Sequence, residues 1–503
     1  MKLFSAAQVR EWDQYTISHE PIASIDLMER AAVKCVEWIE KNGYTNQPFH
    51  IFCGKGNNGG DGLAIARLLT EIEALITVHI LEFGHKGTDD FQANLARLHQ
   101  YPGINIRFIQ HKDHFQVLEP GSIVIDALFG SGLNRRLEGV TANLVEHLNS
   151  SGCTIISIDI PSGLFTDHSS AGNTVINATH TLTFQTYKLA MLVAGNASYI
   201  GHVHVLDIGL HTAFCNVTDS RYQMIDGNLI RKIYQPRNQF GHKGIFGHAM
   251  LIAGSYGKMG AAVLSAQACM RSGVGLLTCH IPRCGYDIMQ STVPEAMVVT
   301  DFNTSFNTRV EDAHDRYAAI GIGPGIGTAS ETRTMLKDLF YQYKKPMVID
   351  ADAINIMGAD RSMMKGLPAN SVITPHPKEF ERLFGESAND FERIELAIKK
   401  SKELNVVIVL KGHYTFVALP SGAGFFNPTG NAGMATGGSG DVLTGIITGL
   451  LAQSYSSENA ALLGVYLHGL AGDIAAERLS MESMIASDII HYLKESFISI
   501  PIL

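Results

Sequence analysis

Glycine is concentrated in two short stretches far apart in this chain, and each stretch runs into an aspartate. The first is Gly54-Lys55-Gly56-Asn57-Asn58-Gly59-Gly60-Asp61-Gly62, directly after the short run His50–Cys53. The second is Asn431-Ala432-Gly433-Met434-Ala435-Thr436-Gly437-Gly438-Ser439-Gly440-Asp441, at the head of an apolar helical segment. Glycine has no Cβ, so the chain can turn sharply and its N–H groups can come close to an anion. A helix N-terminus behind such a turn adds a favourable dipole. Two separate phosphate-type cradles predict two separate sites, and so two jobs on phosphorylated small molecules.

The chain has 503 residues, enough for two or three domains of about 100–250 residues. Ser5 starts a helical pattern with Gln8 in capping-box position, and a second helix is predicted over Ser24–Lys41. Strands are predicted over 50–53, 75–83, 122–128, 154–160, 181–184 and 203–206, with helices over 60–70, 88–100 and 140–148 between them. Ile- and Val-rich strands separated by helices imply a parallel sheet covered on both faces. The polar stretch 211–241, with Pro236, Arg237 and Asn238, reads as a linker. The alternation restarts with strands over 249–254, 275–281, 318–323, 347–350, 372–374 and 406–411 and a helix over 260–272. The last ~65 residues read as mainly helical. The fold class is α/β, with domains expected at 1–215 and 226–500, the first Rossmann-like and doubly wound.

A net charge of −9 argues against non-specific nucleic-acid binding. The seven cysteines form no C-x-x-C pair, which excludes the usual disulfide and zinc frameworks and fits a reducing cytoplasm. The segment Met1-Lys2-Leu3-Phe4-Ser5 lacks a signal-peptide core. No apolar run approaches the ~20 residues that span a membrane. The expectation is a cytoplasmic protein with no nucleic-acid or membrane partner.

In the N-terminal half, Gly54-x-Gly56-x-x-Gly59 formally matches a dinucleotide fingerprint, with Glu82 near the ribose-binding distance. Asn57, Asn58 and Asp61 add polar groups that a plain turn does not need. Asp126-Ala-Leu-Phe-Gly130-Ser131-Gly132 and Asp159-Ile160-Pro161-Ser162-Gly163 each follow a predicted strand. Either aspartate alone reads as a cap for the next segment. Three polar strand ends in one doubly wound sheet instead point to a ligand crevice. Asn58, Asp126 and Ser162 offer hard oxygens suited to a group 1 or 2 cation rather than zinc. Asp159 can serve as general acid or base.

N-N-G-G-D-G, D-A-L-F-G and D-I-P-S-G-L, in that order, resemble the epimerase domain of NAD(P)H-hydrate repair enzymes over roughly residues 1–215. The resemblance implies potassium held by Asn58, Asp126 and Ser162. It also implies contact with the damaged nucleotide by Asn57, Asn58, Gly59, Gly60, Asp61, Gly130, Ser131, Gly132, Leu133, Asn134, Arg135, Arg136 and Asp159. Lys188 fits the same pattern.

In the C-terminal half, amides from Gly438 to Gly440 can stabilise charge on a transferred phosphoryl group, and Asp441 is placed to take a proton beside it. Lys411-Gly412-His413-Tyr414-Thr415 ends one strand and begins another, and can hold nucleotide phosphate. Pro375 and Pro377 fix the backbone around His376. Ile322-Gly323-Pro324-Gly325 is another close-approach loop, and no Walker A motif occurs.

These motifs, with His242-Lys243-Gly244, Gly254-Ser255, Gly260-Ala261-Ala262 and Asp350-Ala-Asp352-Ala-x-Asn355, resemble the ribokinase-like ADP/ATP-dependent NAD(P)H-hydrate dehydratase domain over about 226–500. The resemblance implies that Ala262, Gly325, His376 and Asp441 contact the hydrate. Lys411, Gly412, His413, Tyr414, Thr415 and Gly440 would hold ADP or ATP with magnesium. Its implied substrates are NADHX and NADPHX, and its implied assembly is a homo-oligomer. The resemblance further implies that the dehydratase acts on the S hydrate and that the epimerase interconverts R and S. Three other readings are a small-alcohol kinase, an RNA-decapping scaffold related to the N-terminal domain, and an NAD-dependent dehydrogenase. The intact Asn58, Asp126, Asp159 and Ser162 speak against the scaffold.

Overall fold

The computed structural model describes residues 1–101, 103–311 and 316–500. The chain divides into two compact units, Lys2–Ser220 and Arg221–Leu503, with Met1 grouped in the second.

In the first unit, the Ser5 hydroxyl caps helix α1 (Ala6–His19), accepting the Gln8 N–H while the Gln8 side chain accepts the Ser5 N–H. Helix α2 (Ser24–Lys41) buries Leu27, Met28, Ala31, Ala32, Cys35, Val36 and Ile39, a stripe at three- and four-residue spacing. Seven strands follow: β1 (Phe49–Cys53), β2 (Ile76–Leu81), β3 (Asn105–Ile109), β4 (Ile123–Ala127), β5 (Thr154–Ile158), β6 (His180–Phe184) and β7 (His202–Leu206). They form one sheet in the order β3-β2-β1-β4-β5-β6-β7, with every pairing parallel. The order reverses between β1 and β4, which opens a crevice at their carboxyl ends. Strand β3 was not expected from the sequence. It ends the sheet and buries only Ile109, so it has no apolar run to betray it.

The second unit repeats the architecture with β8 (Tyr222–Met224), β9 (His248–Ile252), β10 (Leu276–Ile281), β11 (Met297–Thr300), β12 (Ala319–Ile322), β13 (Met347–Ile349), β14 (Val372–Ile373), β15 (Val407–Leu410), β16 (Phe416–Ala418) and β17 (Gly424–Phe426). Their order is β8-β17-β16-β15-β14-β13-β12-β9-β10-β11. Only β15–β16 and β16–β17 pair antiparallel. Here the reversal lies between β9 and β12.

The stretch read as a linker corrects to structure: helix Thr212–Val217, strand β8 and helix Gly227–Ile233 occupy it. Two of its polar residues are caps, while Pro236, Arg237 and Asn238 lie outside any helix or strand. The His211 ring accepts from Ala213, and the Asp226 carboxylate accepts from Leu229. Ile225, Ile230 and Ile233 between them are buried.

Helix Ser439–Ala452 is buried along nearly its whole length and crosses helix Met259–Arg271. A Cβ on Gly445 would lie 2.1 Å from the Ser265 carbonyl oxygen, so glycine sets how closely the two helices approach. Helices Ser457–Leu479 and Ala486–Ile498 complete the expected helical end; residues 501–503 lie outside the described residues. Among the described residues no helix is long and apolar enough to cross a membrane.

Candidate active sites

The first constellation lines the crevice between β1 and β4. A Cβ on Gly54 would lie 2.0 Å from the Leu128 carbonyl oxygen, and one on Gly59 would lie 1.8 Å from that of Gly54. Only glycine permits this turn. Helix α3 (Asn57–Glu71) begins three residues before the expected start. Asn57, Asn58 and Gly59 therefore carry first-turn N–H groups without helical acceptors. Asn58 is buried, and neither its Oδ1 nor its Nδ2 has a partner among the described residues. An unmatched buried polar group costs about 1–3 kcal/mol, and this amide has unused capacity to bind a partner.

Asp126, at the end of β4, is fully buried. Its Oδ2 accepts the Ser157 hydroxyl at 2.7 Å and the Ser162 N–H at 2.8 Å, and its Oδ1 accepts the Ser162 hydroxyl at 2.5 Å. The Ser162 Oγ also lies 3.2 Å from the Phe129 carbonyl oxygen, and it accepts the Phe129 N–H at 2.9 Å. The next residue, Gly130, sits against Asn58: a Cβ there would be 3.3 Å from the Asn58 side chain and 3.3 Å from Asp159 Oδ2. One short segment thus brings the three expected cation ligands and Asp159 together.

Asp159 follows β5 with φ of 65°, a conformation that costs a non-glycine residue about 1–3 kcal/mol. This backbone places its carboxylate 2.7 Å from the Lys188 ammonium and 3.1 Å from the Ser131 N–H. Lys188 has no exposed surface and also donates to Thr183 Oγ1 at 2.7 Å and the Phe184 carbonyl at 3.0 Å. All three of its protons are used. Burial works against ionising Asp159, but Lys188 and Ser131 outweigh it and hold the carboxyl below its ordinary range. Asp61 has no such partner among the described residues. Burial, then the charges of Asp159, Asp13 and Asp90, push it well above the ordinary range.

Of the expected 130–136 contacts, Gly130 and Ser131 join the constellation. Gly132, Asn134, Arg135 and Arg136 are exposed; Leu133 donates back to Gly130, and Arg136 reaches the Ala171 carbonyl. Glu82 does not await a ribose. It pairs with Lys55 and accepts the Gly84 N–H at 2.7 Å.

The second constellation begins at the β9–β12 reversal. Gly254 N–H donates to the Pro324 carbonyl at 2.8 Å, and the Ser255 hydroxyl donates to the Gly325 carbonyl at 2.7 Å. Gly323, with φ of 133°, brings its backbone so near Asp350 that a Cβ would lie 1.8 Å from the Asp350 carbonyl oxygen. Gly325 sits beside Lys258 and Ala261. The Ala262 methyl is buried against Gly254.

Asp350 joins the loops. One oxygen takes the Lys411 ammonium at 2.8 Å and the other takes the Thr444 hydroxyl at 2.7 Å. A Cβ on Gly440 would be 3.4 Å from Lys411 Nζ, so two residues assigned to the nucleotide meet. Burial would discharge Lys411, but Asp350 and Glu379 raise it above the usual lysine range. Gly438, with φ of 93°, turns the chain into helix Ser439–Ala452, whose first turn holds Asp441. Burial, then the charge of Asp350, raises the Asp441 carboxyl to about 6 against the pull of Lys411.

His376 caps helix Pro377–Phe384: its Nδ1 accepts the N–H groups of Lys378 and Glu379. Nε2 therefore carries the proton, and burial followed by Lys411 lowers the ring's proton affinity. Thr415 closes the β15–β16 turn by donating to the Gly412 carbonyl at 3.1 Å; His413 and Tyr414 stand on that turn, their rings edge to face. The Thr444, Glu379 and Lys188 contacts were not legible as such in the sequence. Each depends on a partner distant along the chain.

Residues 24–190 match the family model described as YjeF-related protein N-terminus, and residues 249–495 match the one described as NAD(P)H-hydrate dehydratase. The bifunctional NAD(P)H-hydrate repair enzyme of Moorella thermoacetica is 36% identical over 509 residues, spanning 98% of this chain and 96% of that protein. The chain belongs to the bifunctional NAD(P)H-hydrate repair enzyme family. The Coxiella burnetii member is 31% identical, with 98% of each chain covered. A solved structure, the Bacillus subtilis ADP/ATP-dependent NAD(P)H-hydrate dehydratase co-crystallised with ATP/Mg2+, is 30% identical, covering 56% of this chain and 99% of that one with a TM-score of 0.49. As a repair enzyme of this family the chain is both an isomerase and a lyase, an epimerase joined to a dehydratase.

Proposed function

We propose that Asp441, beside Gly440 and the Lys411–Asp350 pair, is the residue on which dehydration turns. The C6 hydroxyl of the hydrated nicotinamide ring is a poor leaving group. Asp441 takes its proton as the oxygen attacks the terminal phosphoryl group of ADP or ATP. The ester then loses phosphate from C6, pushed by the ring nitrogen lone pair, and a proton passes from C5 to water as the C5=C6 double bond of the reduced nicotinamide forms. Gly438–Gly440 amides and Lys411 oppose the charge that gathers on the phosphoryl oxygens. Magnesium arriving with the nucleotide neutralises its phosphates. Lys411 to Thr415 and Gly440 hold the nucleotide, and Ala262, Gly325, His376 and Asp441 the S hydrate. The observation that carries this reading is a carboxyl raised to about 6 at a glycine-lined helix N-terminus, close to a half-buried lysine.

In the first unit, Asp159 acts on the R and S hydrates, which lie against residues 57–61 and 130–136. Potassium fits the oxygen set of Asn58, Asp126 and Ser162, because the Asn58 amide is buried without a partner among the described residues. Turning the Ser162 hydroxyl fully to the Phe129 carbonyl would free Asp126 Oδ1 for the ion. All seven cysteines are free, which suits a reducing cytoplasm.

A mixed R and S hydrate preparation given ADP or ATP is expected to return all of its reduced nicotinamide absorbance. A plateau at the S fraction alone would overturn the epimerase assignment. Phosphorylated hydrate accumulating without reduced nicotinamide would favour a simple kinase. Potassium is expected to raise the R/S interconversion rate above that in sodium at equal ionic strength, and Asn58→Leu to remove the difference. Equal rates in the two salts would reject the cation site.

A further inference from the structure

Helix α1 lies along the epimerase crevice and brings a carboxylate that the chemistry above does not use. Its first N–H, on Ala6, donates to Asp167 Oδ2 at 3.0 Å. The adjacent Thr166 hydroxyl donates to the Ser131 carbonyl at 3.2 Å, and the Ser131 N–H holds Asp159. The Arg10 guanidinium sits 3.5 Å from where a Cβ on Gly132 would be. Arg10 and Asp13 are three residues apart on the helix and so share a face. That face is turned to the 130–132 loop and the Asp159–Lys188 pair behind it. Asp13 is half-buried and forms no hydrogen bond or ion pair among the described residues.

We propose that Asp13 is the second proton-handling group of the epimerase, the acid partner of the Asp159 base. This rests on the epimerase reading of the first unit. In one direction the C6–O bond breaks, its electron pair leaves with oxygen, and oxygen takes the Asp13 proton to depart as water. The ring nitrogen lone pair forms the C=N bond of an iminium. A second water adds to C6 from the opposite face, the C=N pair returns to nitrogen, and the water's extra proton goes to Asp159. The net change is one inversion and one proton moved from Asp13 to Asp159. The reverse direction moves it back.

The surroundings divide the two carboxyls as this requires. Asp159 has a fully engaged lysine and stays ionised. Asp13 is flanked by Arg10 on its own helix, by Asp159 and Lys188 at the strand ends and by Asp61 on α3. Burial, then the Asp159 charge, raises Asp13 to about 7, against Lys188 and Arg10. Two titratable groups driven apart in this way mark an acid and a base.

The test compares R/S interconversion in Asp13→Asn, Asp13→Glu and Asp159→Asn across pH, with thermal unfolding to verify folding. Wild type should lose kcat/KM as pH rises through about 7, where Asp13 gives up its proton. Asp13→Asn should lose at least about 100-fold in kcat, keep its KM and show no alkaline limb. Asp13→Glu should restore much of the rate and show the limb at a shifted pH. An Asp13→Asn enzyme with wild-type rate and limb overturns the proposal, as does a slowed one whose limb is unmoved. If Asp13→Asn does not fold, Asp13→Glu decides, since an unmoved limb overturns the idea. Asp159→Asn separates the two readings: if it interconverts the hydrates normally, the epimerase site itself is misassigned.

Discussion

Asp441→Asn should cut nucleotide-dependent dehydration of the S hydrate by about 10²–10⁴-fold while R and S hydrate still interconvert. The amide keeps the size and most contacts of the carboxyl, so the loss isolates proton transfer. Asp441 must be ionised to accept the hydroxyl proton, and its carboxyl is raised to about 6. Wild-type kcat/KM for dehydration should therefore fall as pH drops through about 6, and the residual activity of the Asp441→Asn variant should lack that limb. Rate measurement on purified S hydrate at saturating ADP or ATP checks both. Loss of epimerisation in the same folded variant would refute separate sites.

Asp159→Asn should do the reverse, abolishing interconversion and sparing dehydration of the S form. It should also weaken the fold. Lys188 has no exposed surface and loses its carboxylate partner, and breaking a buried pair from one side costs about 3–5 kcal/mol. The double change Asp159→Asn with Lys188→Met removes the stranded charge. It should recover much of the unfolding midpoint without recovering epimerisation. If stability and activity returned together, Asp159 would be structural and the chemistry would lie elsewhere in the crevice.

Local pattern along the chain does not record the Asp159–Lys188 and Lys411–Asp350 pairs. Asp441 was legible because all that defines it is local: four glycine or serine residues before it, an apolar helix after it. The cradle of Asn58 was legible for the same reason, and the Ser5–Gln8 box and the span of α2 came out as expected. What the pattern missed was set by distance. Lys411 meets Asp350 across 61 positions and Thr444 meets Asp350 across 94. Glu82 stood at the right spacing for a ribose and instead serves Lys55. The polar 211–241 stretch hid two capped helices and a strand because caps and linkers draw on the same residues.

Glycine placement alone determined that there would be two turns able to admit an anion: a Cβ on Gly54 or Gly59 would lie 2.0 or 1.8 Å from a carbonyl oxygen, and Gly438 has a φ of 93° that side-chain-bearing residues rarely adopt. The strand–helix alternation determined the parallel sheet of the first unit and the parallel part of the second. Only tertiary structure decided which carboxyls would be ionised. That depends on what lies across a few ångströms of dry space: a saturated lysine beside Asp159, a neighbouring carboxylate beside Asp13 and Asp441. Burial and charge at short range act through space, and a linear sequence records neither.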